Sequence, residues 1–107
     1  MNWIALEDYT QIKKALLQTE PFLVFKHSIR CSISNMVKHR FERTFDCKNV
    51  QLYYLDLITY RSISNQLAVD FNVEHQSPQI LCIKNGNCVY HASHNAIDAD
   101  VIKDKIQ

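Results

Sequence analysis

Cys31 opens the tetrapeptide Cys31-Ser32-Ile33-Ser34, inside a stretch from Phe22 to Phe41 that carries Lys26, Arg30, Lys38 and Arg40, with His27 and His39, and no acid. The nucleophile of thiol-disulfide exchange is the thiolate, and neighbouring cations favour that anion. A second cysteine three residues on would close a local disulfide; here Ser34 fills that position, so an internal bridge cannot form there. Redox chemistry at Cys31 would therefore run through mixed disulfides, with a protein or a small thiol, that a second thiol must resolve. Ser34 is expected to donate a hydrogen bond to the thiolate. The plainer reading makes Cys31 a small apolar residue at a helix start.

Two further segments carry signals. In Gln76-Ser77-Pro78-Gln79 a proline stands directly before an apolar run, where it removes a ladder hydrogen bond unless it begins the strand or lies in a turn. A cis bond and an ordinary trans strand-starter are the two readings; in the thioredoxin arrangement, which the placing of this segment resembles, the corresponding proline is cis and leaves the backbone before it free to pair with an extended substrate. His91-Ala92-Ser93-His94 lies on a strand whose end should return to the same sheet edge. Ser93, His94 and Asn95 are then expected to meet the substrate, with a helix N-terminus offering N–H groups to a carboxylate; equally, His94 and Asn95 could only cap that helix.

Positioning these residues is the task of elements that apolar spacing makes legible. Glu7 to about Thr19 reads as a helix with Tyr9, Ile12 and Leu16 on one face, stopped by Pro21. Phe22-Leu23-Val24-Phe25 reads as a buried strand ending near Lys26 or His27. Ile33, Val37, Phe41 and Phe45, with Met36, mark a strong amphipathic helix whose first turn follows Cys31, and the positive end of its dipole favours an anion there. Val50 to Asp56 forms the next strand, a parallel crossover away. A helix with Ile63, Leu67, Ala68 and Phe71 follows. Gln79 to Lys84 and Cys88 to Ala92 flank Asn85-Gly86, a strong hairpin signal. Ile97, Val101, Ile102 and Ile106 close the chain as a helix that Asn95 is expected to cap. The order is αβαβαββα: a four-stranded mixed sheet flanked by helices, which is the thioredoxin-like α/β arrangement with an extra N-terminal helix.

Of the four cysteines, the hairpin pairs Cys88 with Ile83 and Cys82 with Val89, which puts Cys82 and Cys88 on opposite faces. Cys82 reads as a core residue. Cys47 falls beyond the far end of the helix, about 22 Å from Cys31 at helical rise, and is a poor resolving thiol. Cys88, His91 and His94 match no closed zinc spacing, so no metal is expected. Tyr53, Tyr54 and Tyr60 read as packing residues.

Length and charge narrow the classes. The 107 residues suit a single domain spanning 1–107, and 47% hydrophobic with 21% charged residues and one glycine exclude a disordered chain. A net charge of +1 with no basic half gives no nucleic-acid footprint. Apolar runs fall far short of the ~18 residues of a membrane span, and Met1 to Asp8 lack the basic and apolar regions of a signal peptide, so a cytoplasmic location with reduced thiols is expected.

Phe25-Lys26-His27-Ser28 leading into Arg30-Cys31-Ser32-Ile33-Ser34, then His75-Gln76-Ser77-Pro78-Gln79, then Val89-Tyr90-His91-Ala92-Ser93-His94, together resemble the monothiol bacilliredoxin family, the YtxJ or BrxC-like group. The resemblance covers almost the whole chain, including the leading helix and Tyr54-Leu55-Asp56-Leu57. It implies a thioredoxin-like fold in which Cys31 exchanges disulfides with client proteins blocked by bacillithiol, a small thiol carrying a malate group, with no tightly bound cofactor. Bacillithiol is then the co-substrate and bacillithiolated proteins are the partners. Its carboxylates would suit the basic stretch at Lys26 and Arg30 and the helix start at Asn95. The expected binding set is Lys26, Arg30, Ser32, Ser34, Ser77, Pro78, Ser93, His94 and Asn95. Many members carry proline directly after the active cysteine; Ser32 adds an N–H there. The rival functions are a noncatalytic thioredoxin-fold module binding a partner in the Pro78 groove, and an iron-sulfur carrier of monothiol glutaredoxin type, whose usual Cys-Gly-Phe-Ser is absent. A monomer or weak dimer is expected.

Overall fold

A computed structural model describes residues 1–107. The elements are β1 (Trp3–Ala5), α1 (Thr10–Ala15), β2 (Phe22–His27), α2 (Ser32–Thr44), β3 (Gln51–Asp56), α3 (Arg61–Asp70), β4 (Gln79–Lys84), β5 (Asn87–Ser93) and α4 (Ala99–Ile106), with a short 3-10 turn at His94–Ala96 before α4. They build one five-stranded sheet in the order β1-β3-β2-β4-β5. β1 and β2 run parallel to β3, β4 runs antiparallel to β2, and β5 antiparallel to β4.

The sheet has five strands rather than the expected four, because Trp3–Ala5 adds an edge strand in register with Leu52 to Tyr54. Three residues are too few for alternation to reveal. What holds β1 is its first side chain. The Trp3 ring meets Phe25 edge-on at 5.8 Å, and its Nε1–H donates to Glu42 on α2 at 2.6 Å. Lys38 places its ammonium 5.3 Å from both the Trp3 and Tyr54 rings. The leading helix is also shorter than the expected Glu7 to Thr19. Asp8 accepts from the Thr10 N–H at its start, and after Ala15 the chain tightens into i to i+3 bonds from Leu17 and Gln18 back to Lys14 and Ala15.

β2 is central and buried along its whole length, as its apolar run requires. Its side chains alternate between two cores. Leu23 and Phe25 join Val37 and Phe41 of α2 and Ile102 of α4; Phe22 and Val24 join Ile12 of α1 and Ile63 and Leu67 of α3. The β4–β5 hairpin turns on Asn85 and Gly86, with φ of 53° and 80°, the left-handed pair that a two-residue turn matched to strand twist needs. Ile83 pairs with Cys88 as expected, but Cys82 pairs with Tyr90 rather than Val89: a register shift there leaves Val89 out of the ladder and exposed. Cys82 and Cys88 still pack against different cores.

Asn95 does not cap the closing helix. α4 starts four residues later, and Asp98 caps it by accepting from the N–H groups of Asp100 and Val101. Asn95 lies in the 3-10 turn, its carbonyl accepting from Arg40 of α2.

Candidate active site

The candidate residues gather where the C-terminal end of β2, the start of β4 and the end of β5 lie side by side. Register fixes this: Lys26 pairs with Gln79, and Gln79 pairs with Ser93. Three connections therefore leave the sheet at one place, namely the Ser28–Cys31 turn, the loop ending at Pro78, and the His94–Ala96 turn.

Cys31 is the N-cap residue of α2, with extended backbone at φ −106° and ψ 116° and its side chain half-buried. A turn from the Cys31 N–H to the Ser28 carbonyl sets it there, and its own carbonyl accepts from Asn35 in the first helical bond. No acid occupies the first turn of α2. The cysteine thus sits at the positive end of the dipole of a 13-residue helix, among N–H groups that have no intrahelical acceptor.

Ser34 does not serve the sulfur. Its hydroxyl is fully buried, 2.6 Å from His27 Nδ1 and 3.2 Å from the Ser28 N–H, which donates to it. The residue three positions after Cys31 therefore anchors the turn before it, and the expected Ser34-to-thiolate bond is replaced by this triangle. Burial, and next the Lys38 charge, hold His27 below its ordinary imidazole range, so it is neutral at physiological pH.

Lys26 also departs from expectation. In place of the expected surface cation for a carboxylate, it is fully buried on the α3 side of the sheet, donating to the Ser64 carbonyl at 3.1 Å, with His75 Nδ1 at 3.3 Å. β2 is covered on both faces, so a side chain at its end points into packing rather than water. Burial pushes the Lys26 ammonium down to about 8.

The other expected residues do reach this end of the molecule. Arg30 and Ser32 are exposed on either side of Cys31 in the chain. The Ser77–Pro78 peptide bond is cis, Pro78 is buried, and Ser77 is half-buried with neither its N–H nor its C=O engaged by another backbone group. Ser93 pairs with Gln79 at the strand end. His94, exposed and held at φ 54°, donates its N–H to the Pro78 carbonyl at 3.0 Å, tying the third connection to the second. Sequence reasoning gives no site role to His27, Ser64, His75 or Gln79. One signal does point to them: a lysine and a histidine closing a strand that is otherwise wholly apolar need buried polar partners.

The βαβ and hairpin frame that carries Cys31 has known counterparts. The chain matches the family model described as monothiol bacilliredoxin BrxC over residues 4–102. Among solved structures, a protein assigned as an oxidoreductase with a thioredoxin fold is 27% identical, with a TM-score of 0.87 over 98% of this chain and 94% of its own. A mutant thioredoxin from Halobacterium salinarum NRC-1 is 16% identical, with a TM-score of 0.71 over 97% of this chain and 87% of its own. Thioredoxin of Trypanosoma brucei brucei is 10% identical, with a TM-score of 0.73 over 97% and 87%. The last two speak for the fold alone; the family match, over nearly all of the chain, makes this protein a thioredoxin-fold thiol oxidoreductase that belongs to the monothiol bacilliredoxin family.

Proposed function

We propose that this protein is a monothiol reductase that removes bacillithiol from protein mixed disulfides. The Cys31 thiolate attacks the bacillithiol sulfur of the blocked client, forming a Cys31-bacillithiol disulfide while the client sulfur leaves as a thiolate and takes a proton from water. A second bacillithiol thiolate then attacks the bacillithiol sulfur of that adduct, releasing oxidised bacillithiol and returning Cys31 as thiolate. Electrons balance over the two exchanges, and no resident cofactor is needed. The observation that carries this reading is the pairing of one half-buried helix-start cysteine with a buried serine in the resolving position, a serine committed to His27 and Ser28. Such a site can exchange disulfides but has no local sulfur with which to finish.

Ser77 supports the client side of the reading. Its free N–H and C=O suit an extended segment added alongside the loop, so main-chain pairing would orient the scissile disulfide. Exposed Arg30 and His94 suit the bacillithiol carboxylates.

The test is mass spectrometry of the protein and its Cys31→Ser variant after incubation with bacillithiol disulfide, with glutathione disulfide in parallel, following adduct mass and rate against pH. A single adduct that requires Cys31 and forms faster with bacillithiol is expected. Slow, unselective labelling that persists in the variant overturns the reading and leaves a binding module.

A further inference from the structure

The buried polar side chains of the whole molecule are Lys26, His27, Ser34, Ser64 and Gln79, and all of them underlie the connections at the Cys31 end. His27 and Ser34 brace the turn before Cys31. The other three converge on residues 74–76, directly before Ser77. Gln79 sends its amide N–H to the Glu74 carbonyl at 2.9 Å, and its amide oxygen accepts from the Gln76 N–H at 3.4 Å. Between these two, His75 Nδ1 lies 3.3 Å from the Lys26 ammonium and 3.1 Å from the Ser64 hydroxyl. An ammonium only donates, so Nδ1 is the acceptor and the His75 ring proton sits on Nε2.

No ion pair involves Lys26, and no carboxylate acts on it. A methionine or leucine would fill the same space without the penalty of a buried charge lacking a counter-charge. What the ammonium adds is direction: a charged donor aimed at one ring nitrogen of one loop. Residues 74, 75 and 76 are each tied from beneath, by a backbone group at 74 and 76 and by the ring at 75, and in the next residue, Ser77, neither backbone group is hydrogen-bonded.

We infer that Lys26 is a positioning residue, which, with Ser64 and Gln79, clamps the Glu74–Gln76 segment through His75 and so presents the Ser77 backbone to the disulfide-bearing segment of a client. The inference deepens the reductase reading and rests on it for the client. Its rival is that Lys26 acts electrostatically on the Cys31 thiolate. The sheet itself stands against that rival: Lys26 shares the face of Val24 with α3, whereas α2, which Cys31 opens, packs on the other face.

The two roles part when Cys31 is challenged by reagents of different size. Iodoacetamide needs only the thiolate; a cysteine peptide blocked with bacillithiol, or with glutathione, also needs the loop. In Lys26→Met the alkylation rate of Cys31 is expected to stay that of the wild type while exchange with the blocked peptides slows roughly 10- to 100-fold, the loss that follows from misplacing a reactant by about an ångström. Gln79→Leu, which unties the same loop without touching the ammonium, should reproduce that split. Alkylation that falls in step with exchange, or exchange that stays at the wild-type rate, overturns the inference.

Wild-type protein that exchanges with neither peptide would defeat the reductase reading instead, and NMR then decides the clamp. With Lys26 gone, the His75 imidazole should titrate at higher pH and the Gln76 amide should exchange with solvent faster. A His75 titration and a Gln76 protection identical to those of the wild type would overturn the clamp by themselves.

Discussion

Lys26 and His27 are consecutive on β2 and therefore face opposite sides of the sheet, so one strand end supplies a base beneath the Cys31 turn and an ammonium beneath the Ser77 loop. Both are titratable groups whose charged form burial disfavours, and His75 is held low as well, by burial first and then by the Lys26 and Arg61 cations. For each of them the unfolded chain holds its proton more tightly than the fold does, which fixes the sign of the linkage. Stability should fall as pH drops below the ordinary imidazole value of 6.5, where the unfolded chain begins to take up protons that His27 and His75 refuse in the fold. Lys26 adds a contribution that rises as pH climbs from about 8 toward 10.5, the window in which it has shed its charge in the fold but not in the unfolded chain, while the thiols that burial raises, Cys47, Cys82 and Cys88, pull stability down as pH passes their ordinary value of 9.0. Urea unfolding across that range checks both limbs. Lys26→Met should lose the rise that Lys26 supplies between about 8 and 10.5 and should shrink the acid limb only by the part of the His75 shift that Lys26 causes, leaving the part due to His27; the same alkaline slope in variant and wild type would assign that contribution elsewhere. The oddity of this residue is visible in sequence, as a lysine ending an apolar run. Its direction is not, because nothing in one strand says that both faces of the sheet are covered.

At the scale of elements, strong periodicity is legible in the sequence and short or irregular pieces are not. The spacing of Val37 and Phe41 locates α2, and with it Cys31 at the helix start, because that helix is long enough to show its stripe. β1 escapes because its stability comes from Trp3 reaching Phe25, Lys38 and Glu42, contacts distant in sequence. The shift at Cys82 escapes because turn chemistry sets register only as far as the first irregularity. The start of α4 misleads for a local reason. Asn95 and Asp98 are both good capping residues, and the difference is that His94 takes up a left-handed φ to bond Pro78, which commits residues 94–96 to a 3-10 turn before the helix can begin. The two sites should then respond differently to alanine. Asp98→Ala leaves two first-turn N–H groups without their acceptor and should lower stability by about 1 kcal/mol, whereas Asn95→Ala should stay within about 0.5 kcal/mol, both read from urea midpoints at constant slope. Equal losses would mean that the helix begins at Asn95 after all.

Across the whole molecule, the buried polar groups and the loop ends crowd one end of the sheet, while an open cavity of about 560 Å³ lined by Thr19, Cys47, Lys48 and Lys103 lies at the other. Size alone would draw attention to that other end, but the proposed exchange calls for an accessible sulfur and a backbone to pair with rather than for a cavity. The four free cysteines make this polarity measurable. Cys31 combines partial exposure with the start of α2. Cys47 lies past the other end of that helix, where the dipole opposes an anion, and burial raises its thiol further. Burial also raises Cys88, and it pushes Cys82, which is inaccessible in the core beside Ile80 and Ala92, up to about 12. Timed alkylation at neutral pH followed by peptide mapping should therefore modify Cys31 first, Cys47 and Cys88 much later, and Cys82 only after denaturant is added. If Cys47 were modified as fast as Cys31, neither end of α2 would govern thiol reactivity, and the concentration of reactive chemistry at one end of the sheet would lose its physical basis.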